Sequence, residues 1–223
     1  MKNETREIPI VFIGVADPIS TGLIESLARP GGNLTGALLN EPTIIGKWLA
    51  MLKEAAPRVT RIAVLFNPEA GPYRYYRETA EVVAPTLGVE LVSRPIKSAA
   101  DIEGIIAGFA RTPNGGLLVP PDLTAVLHRD LIVSLETQHR LPAVYQARFW
   151  VEAGGLMSYG TDRVAEHRQA MYYVDRILRG AKPSDLPVQS PIKYETVVNL
   201  KTAKLIGLDL SPSLLLRADE VIE

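Results

Sequence analysis

Apolar and polar positions along this chain fall into a repeating order. Short apolar runs alternate with longer stretches in which apolar residues recur every three or four positions. The first run, Ile10–Val15, is interrupted only by Gly14 and is rich in β-branched residues, the pattern of a strand buried on both faces. Asp17 and Pro18 follow at once. Asp is a favoured helix N-cap and Pro fits the first helical position, so a helix is expected over Ser20–Ala28. The free N–H groups of Ile19, Ser20 and Thr21 would then line the carboxyl end of the sheet. A helix N-terminus attracts anions there, and open α/β sheets bind ligands in that crevice.

The same alternation continues to the C-terminus. Strands are expected at Leu34–Leu39, Arg61–Phe66, Glu90–Arg94, Gly116–Val119, Ala143–Tyr145, Leu156–Tyr159 and Glu195–Val198. Helices are expected over Thr43–Ala56, Tyr73–Leu87, Ala100–Ala110, Asp122 to about His139, Arg163–Leu178 and Leu200–Ile206. Ile44, Ile45, Trp48, Leu49 and Leu52 share one face of the first of these, which places Trp48 in the core. Trp150, beside Phe149, reads as a loop residue. Arg29–Asn33 is a turn, Pro183–Pro191 a proline-rich connection and Ser211–Ile222 a short amphipathic tail. Strands alternating with helices imply βαβ units and parallel sheets, an α/β fold. Asp17-Pro18, Asn67-Pro68 and Pro120-Pro121-Asp122 each put a small polar residue at the carboxyl end of a strand. If the chain forms two sheets that face each other, these ends converge on one cleft.

Composition narrows the function classes. The 223 residues are enough for one large domain or two lobes. A formal net charge of -1 argues against nucleic acid as a partner, which calls for a basic excess. The absence of cysteine removes disulfides and thiolate chemistry. No apolar run reaches the roughly 18–20 residues of a membrane span, and the opening MKNETREIP has no apolar core and is not a signal peptide. The three histidines, His128, His139 and His167, have no partners at metal-ligand spacing, so no metal is expected. No cofactor fingerprint or nucleophile motif is present, and Gly31-Gly32, Gly115-Gly116 and Gly154-Gly155 read as turns.

Several segments carry a resemblance: IPIVFIGVADP, LARPGGNLTG, GKWLAMLKEAAPRVTRIAVLFNP, PNGGLLVPPD, HRLPAVY, AGGLMSYGTD, YVDRILRGAKPSDLPVQSP and NLKTAKLIGLDLSPSLLLRADEVI. In this order and spacing the chain resembles the ABC-transporter substrate-binding proteins of the tryptophan/tyrosine-type family, which have a two-lobed type 1 periplasmic binding protein-like fold. The resemblance implies parallel sheets flanked by helices. It divides the chain into lobe I, residues 1–40 and 161–190, and lobe II, residues 41–160 and 191–223. Hinge strands would run near Leu34–Asn40, Gly155–Gly160 and Pro187–Lys193. Family members carry a leader and further βα units ahead of the strand that here is Ile8–Phe12. The expectation is therefore an incomplete lobe I, with Ile10–Val15 an open edge that favours self-association.

Candidate ligand contacts follow from the residues and this resemblance together. Asp17 caps its helix or touches ligand, and the N–H groups of Ser20 and Thr21 suit a carboxylate. Asn67 is a turn residue or a ligand donor. Asp122, in the Pro-Pro-Asp position of the resembled family, suits a ligand ammonium group. Tyr145 could stack on an apolar ligand and offer its hydroxyl. Ser158 and Tyr159 lie at the expected hinge beside Gly160. Tyr73, Tyr75 and Tyr76 open a helix near the same region, where one could reach ligand or all could cover surface. The leading expectation is a non-enzymatic solute receptor that closes around a small molecule, an amino acid with the aromatic class favoured. It would need no cofactor, would deliver to an ABC permease and ATPase complex, and would work in the periplasm or anchored outside the membrane. The alternative is an intracellular ligand-sensing effector domain of LacI-like fold. An α/β enzyme would need a nucleophile–base pair or cofactor motif that the sequence does not offer.

Overall fold

The computed structural model describes residues 4–69 and 72–223, and of Pro72 and Tyr73 the backbone alone. The chain divides into two compact units: unit 1 is Met1–Glu41 with Thr161–Tyr194, and unit 2 is Pro42–Gly160 with Glu195–Glu223.

Unit 1 is built on two parallel strands, β1 (Ile10–Val15) and β2 (Leu34–Leu38). Segment 188–190 extends β2 on its other side: Leu38 N–H donates to Gln189 O and Gln189 N–H to Gly36 O. Gly36 is required at the β1–β2 pairing, because a Cβ there would fall 2.0 Å from Phe12 O. A small core of Ile24, Leu34, Leu38 and Val188 lies under Ile10, Phe12, Leu23 and Leu27. The long helix α7 (Arg163–Leu178) packs on both strands. Asp162 starts it, its Oδ1 accepting the N–H groups of Val164 and Ala165.

The helix expected over Ser20–Ala28 is absent. The segment makes successive turns, with Leu23 N–H donating to Pro18 O and Gly22 N–H to Ile19 O. Gly22 sits at φ +69°, which ends the turn, and Ser20 and Thr21 are weak helix formers. Leu23, Ile24 and Leu27 then turn inward onto β2 instead of continuing a helical face.

Unit 2 holds a seven-stranded sheet. Its strands are β3 (Arg61–Phe66), β4 (Glu90–Pro95), β5 (Gly115–Val119), β6 (Ala143–Tyr145), β7 (Met157–Thr161), β8 (Tyr194–Asn199) and β9 (Glu220–Ile222). The order is β4-β3-β5-β6-β7-β8-β9, and the pairs from β4 to β7, like β8 with β9, are parallel. Helices α1 (Ile44–Ala55), α2 (Pro72–Thr86), α3 (Ala99–Ala110), α4 (Leu123–Leu127), α5 (Arg129–His139), α6 (Arg148–Glu152), α8 (Leu200–Ile206) and α9 (Pro212–Leu216) fill the connections. α1 packs on α2, whereas α3 and α8 pack on α5. The helix expected from Asp122 to His139 is two helices broken at His128, whose φ/ψ leave the helical region. Trp150, expected in a loop, is fully buried in α6 and stacks on Tyr145 with ring centroids 4.7 Å apart. Trp48 is buried as expected, and its Nε1–H donates to Tyr159 O at 2.6 Å.

Glu136 lies inside this core with no exposed surface. Its carboxyl accepts the Tyr145 hydroxyl at 2.7 Å and the Leu156 N–H at 3.1 Å, so α5 is tied to β6 and to the start of β7. Burial pushes its pKa up to about 8, against the pull of these two donors. An unfolded glutamate titrates near 4.5, so folding favours the neutral form. The stabilisation held by that form is complete below the unfolded pKa and is lost as pH rises through about 8. We predict that urea stability falls by on the order of a few kcal/mol between pH 5 and pH 9, and that Glu136→Gln flattens this slope. An identical slope in the variant would contradict the assignment.

Candidate functional site

The sheet of unit 2 changes direction once. From β3 the chain adds β4 on one side, then returns to add β5 on the other. The gap between the carboxyl ends of β3 and β5 is therefore the topological switch point, where open parallel sheets bind ligands. Asn67 follows β3 and Asp122 lies beyond β5, and the structure bonds them directly. Asp122 Oδ2 accepts the Asn67 N–H at 2.6 Å, while its Oδ1 caps α4 by accepting the Ala125 N–H at 2.9 Å. The Asn67 side chain is equally engaged, donating through Nδ2 to Thr124 Oγ1 and accepting the Glu69 N–H on Oδ1. Thr124 was not marked by the sequence reading; its only signal there is its place in the first turn after an N-cap Asp.

The other unit 2 residues stand deeper. Tyr145 and Ser158 are register partners on β6 and β7 and both are closed to solvent. The Tyr145 hydroxyl, expected to face a ligand, is donated to Glu136 instead, and the buried pair raises its pKa. Among the described residues the Ser158 hydroxyl has no hydrogen-bond partner. Tyr159 is half-buried, and Lys47 lies 5.7 Å above its ring centroid. Tyr76 is buried against Trp48. The Tyr73 side chain lies outside the described residues.

In unit 1, Asp17, Ser20 and Thr21 come together in the turn after β1. The Ser20 N–H, expected free for an anion, is taken by Asp17 Oδ1 at 3.0 Å, and the Thr21 hydroxyl donates to Asp17 O at 2.7 Å. With no helix behind them, these amides form a closed turn and not a helix-dipole site. The side chains of Ser20 and Thr21 remain exposed. Sequence reasoning missed Glu166, which is buried in the first turn of α7 beside Gly14. Its signal was present: Glu166 keeps phase with Ala170 and Tyr173, the buried stripe of that helix. A groove of about 760 Å³ runs along α7 and segment 189–192, but none of the strand-end residues lines it. Among the described residues no cluster of three His, Asp or Glu side chains is placed to hold a metal, and no helix is long and apolar enough to cross a membrane.

Known proteins of similar sequence and structure stand beside this geometry. The chain is 25% identical over 206 residues to a "Tyrosine-binding protein" of Clostridioides difficile, covering 92% of this chain and 59% of that protein's own length. An ABC domain from Streptococcus pneumonia, solved in complex with L-Trp, superposes with a TM-score of 0.89 at 26% identity, over 99% of this chain and 74% of that one. A conserved domain protein from Vibrio cholerae superposes with the same TM-score at 28% identity, over 98% of this chain and 73% of that one. These superpositions show the type 1 periplasmic binding protein-like α/β fold expected from the sequence. The profile of the family described as ABC transporter substrate binding protein matches residues 1–222, and the chain belongs to that family.

Proposed function

We propose that this chain is the solute receptor of an ABC importer and that it binds an amino acid of the aromatic class at the carboxyl ends of its parallel strands. The observation that carries this reading is the Asn67–Asp122 bond at the β3–β5 switch point, a strand-end surface ordered by its own hydrogen bonds. A relative named for tyrosine binding and a structure solved with L-Trp support the ligand class and favour the receptor over the ligand-sensing alternative. Asp17, Ser20 and Thr21 in unit 1, and Asn67 and Tyr159 in unit 2, have the exposure that a direct ligand contact needs; Asp122, Tyr145 and Ser158 are buried and act through their neighbours in unit 2. The ligand is bound and released without chemical change, and no cofactor takes part.

The receptor's partners in this reading are an ABC permease and ATPase, and its place is outside the cytoplasmic membrane. Nucleic acid has no role. β1, whose strand neighbour among the described residues is β2, offers an apolar edge through which copies could associate.

Isothermal calorimetry with L-tryptophan and L-tyrosine tests the reading. Saturable binding of at least one is expected, with the ligand recovered unchanged and a stabilisation of about 2.7 kcal/mol at a hundredfold excess over Kd. Absence of heat with both, or conversion of the ligand, would contradict it. A second prediction concerns Asp122→Ala. It removes a helix cap, worth about 1 kcal/mol, and strands the Asn67 N–H at a further cost of about 1–3 kcal/mol. Chemical denaturation should show that loss, and tryptophan affinity should fall with it. Asp122→Asn, which still caps, should lose less; an unchanged midpoint in Asp122→Ala would mean that neither bond orders the loop.

A further inference from the structure

The polar side chains described so far at the strand ends of unit 2 are neutral or acidic: Asn67, Thr124, Tyr159 and Asp122. An amino-acid ligand carries a carboxylate as well as an ammonium group. A carboxylate is costly to take from water unless a cation or N–H donors receive it. The N–H groups of Asn67 and Ala125 are already engaged by Asp122. Lys47, in the first turn of α1, is exposed, and its ammonium lies 5.7 Å above the Tyr159 ring centroid.

The register of the sheet places this pair. Val64 stands level with Leu118, Val119 with Tyr145, and Tyr145 with Ser158. One residue further, Tyr159 stands level with Phe66 and Pro120, the row from which the chain runs on into Asn67 and toward Asp122. β7 is two strands from β5 in the sheet order, or about 10 Å at the usual strand spacing, a span that one aromatic amino acid covers. Tyr159 alternates with Ser158 along β7, so its side chain lies on the face where α1 packs on β5 and β6.

Lys47 is held in place, and its charge is not taken up. The next residue, Trp48, is buried and donates its indole N–H to Tyr159 O, which fixes α1 against β7. Among the described residues the Lys47 ammonium has no hydrogen bond or ion pair. Glu54, two turns along the same helix, is held by Arg217 through both oxygens. Burial and the charge of Asp219 raise the pKa of the Tyr159 hydroxyl, and one Asp219 oxygen accepts the Thr196 N–H. An anion beside this ring is therefore favoured on the Lys47 side and disfavoured at the hydroxyl.

We propose that Lys47 receives the carboxylate of the amino-acid ligand beside the Tyr159 ring, at the carboxyl edge of the unit 2 sheet. The assignment concerns unit 2 alone. It rests on the receptor reading above and adds the cation that makes the site selective for a free acid over its amide. The ammonium supplies charge and N–H donors that bond a carboxylate at about 2.7–2.9 Å, on a flexible stem that reaches from α1.

Calorimetry on the whole chain tests this with two probes, L-tryptophan and L-tryptophanamide, which lacks the carboxylate. The unmodified protein should prefer L-tryptophan. Lys47→Met should weaken L-tryptophan by about tenfold or more, the range of a hydrogen bond to a charged group, and leave L-tryptophanamide unchanged. Unchanged affinity of the variant for L-tryptophan, equal weakening of both probes, or no preference between them in the unmodified protein would overturn the assignment while leaving the receptor reading intact. Absence of L-tryptophan and L-tyrosine binding in the unmodified protein would instead overturn the receptor reading, and this assignment with it. Thermal melting checks the variant's fold, which should be retained because Lys47 is exposed and Met is a good helix former. If Lys47→Met does not fold, Lys47→Gln serves the same test with the same outcomes.

Discussion

One carboxylate holds the end of the larger sheet together. Asp122 accepts the Asn67 N–H from beyond β3 and the Ala125 N–H from α4, so two neighbouring strand ends share a single anionic hub. The chain reverses its direction of sheet growth between these strands, and helices leave on opposite faces there. Without a tie, the loop after β3 and the first turn of α4 would be separate surface segments. With it, the crevice has a fixed floor, and Thr124 and the Asn67 side chain complete the network. A receptor gains from this because a loop ordered before binding need not be ordered at the ligand's expense.

The two buried glutamates show what the fold does with acid groups it encloses. Glu136 is fully enclosed and both oxygens accept a donor, so its role is to join α5, β6 and the root of β7. Glu166 is almost as enclosed, and among the described residues its Oε1 has no hydrogen-bond partner. The first arrangement belongs to the architecture. The second places a carboxyl in the first turn of α7, beside Gly14. The same contrast separates Tyr145, whose hydroxyl is consumed inside the core, from Tyr159, which keeps part of its surface in solvent.

Much of the fold was legible because parallel strands buried on both faces read as continuous apolar runs, as Ile62–Phe66 and Gly115–Val119 do. Helix α7 was legible from the Asp162 cap and the apolar spacing after it. The stretch after Asp17 was misread because Asp-Pro is the opening of a helix and of a tight turn alike. The decision fell to Gly22 and to the pull of Leu23, Ile24 and Leu27 toward β2, a tertiary effect with no local trace. Trp150 was misread because five residues between turns carry too little periodicity to mark a helix. The candidate site was legible as polar residues at strand ends, but not in how their hydrogen bonds are shared. That sharing depends on which strands are neighbours, and β3 and β5 are separated by two helices and a strand in sequence. Glu136 and Glu166 were legible only as charges in phase with a buried stripe, a conflict that marks a position without saying what resolves it.

The central claim is that the strand-end surface of unit 2 is ordered by Asp122 in the absence of ligand. Amide hydrogen exchange on the ligand-free protein reads this directly at Asn67 and Ala125. The account predicts that both exchange far more slowly than an unstructured peptide, and that both lose that protection together when Asp122 is replaced by alanine. Exchange of Asn67 at the free-peptide rate in the unmodified protein, or protection that survives the replacement, would contradict it.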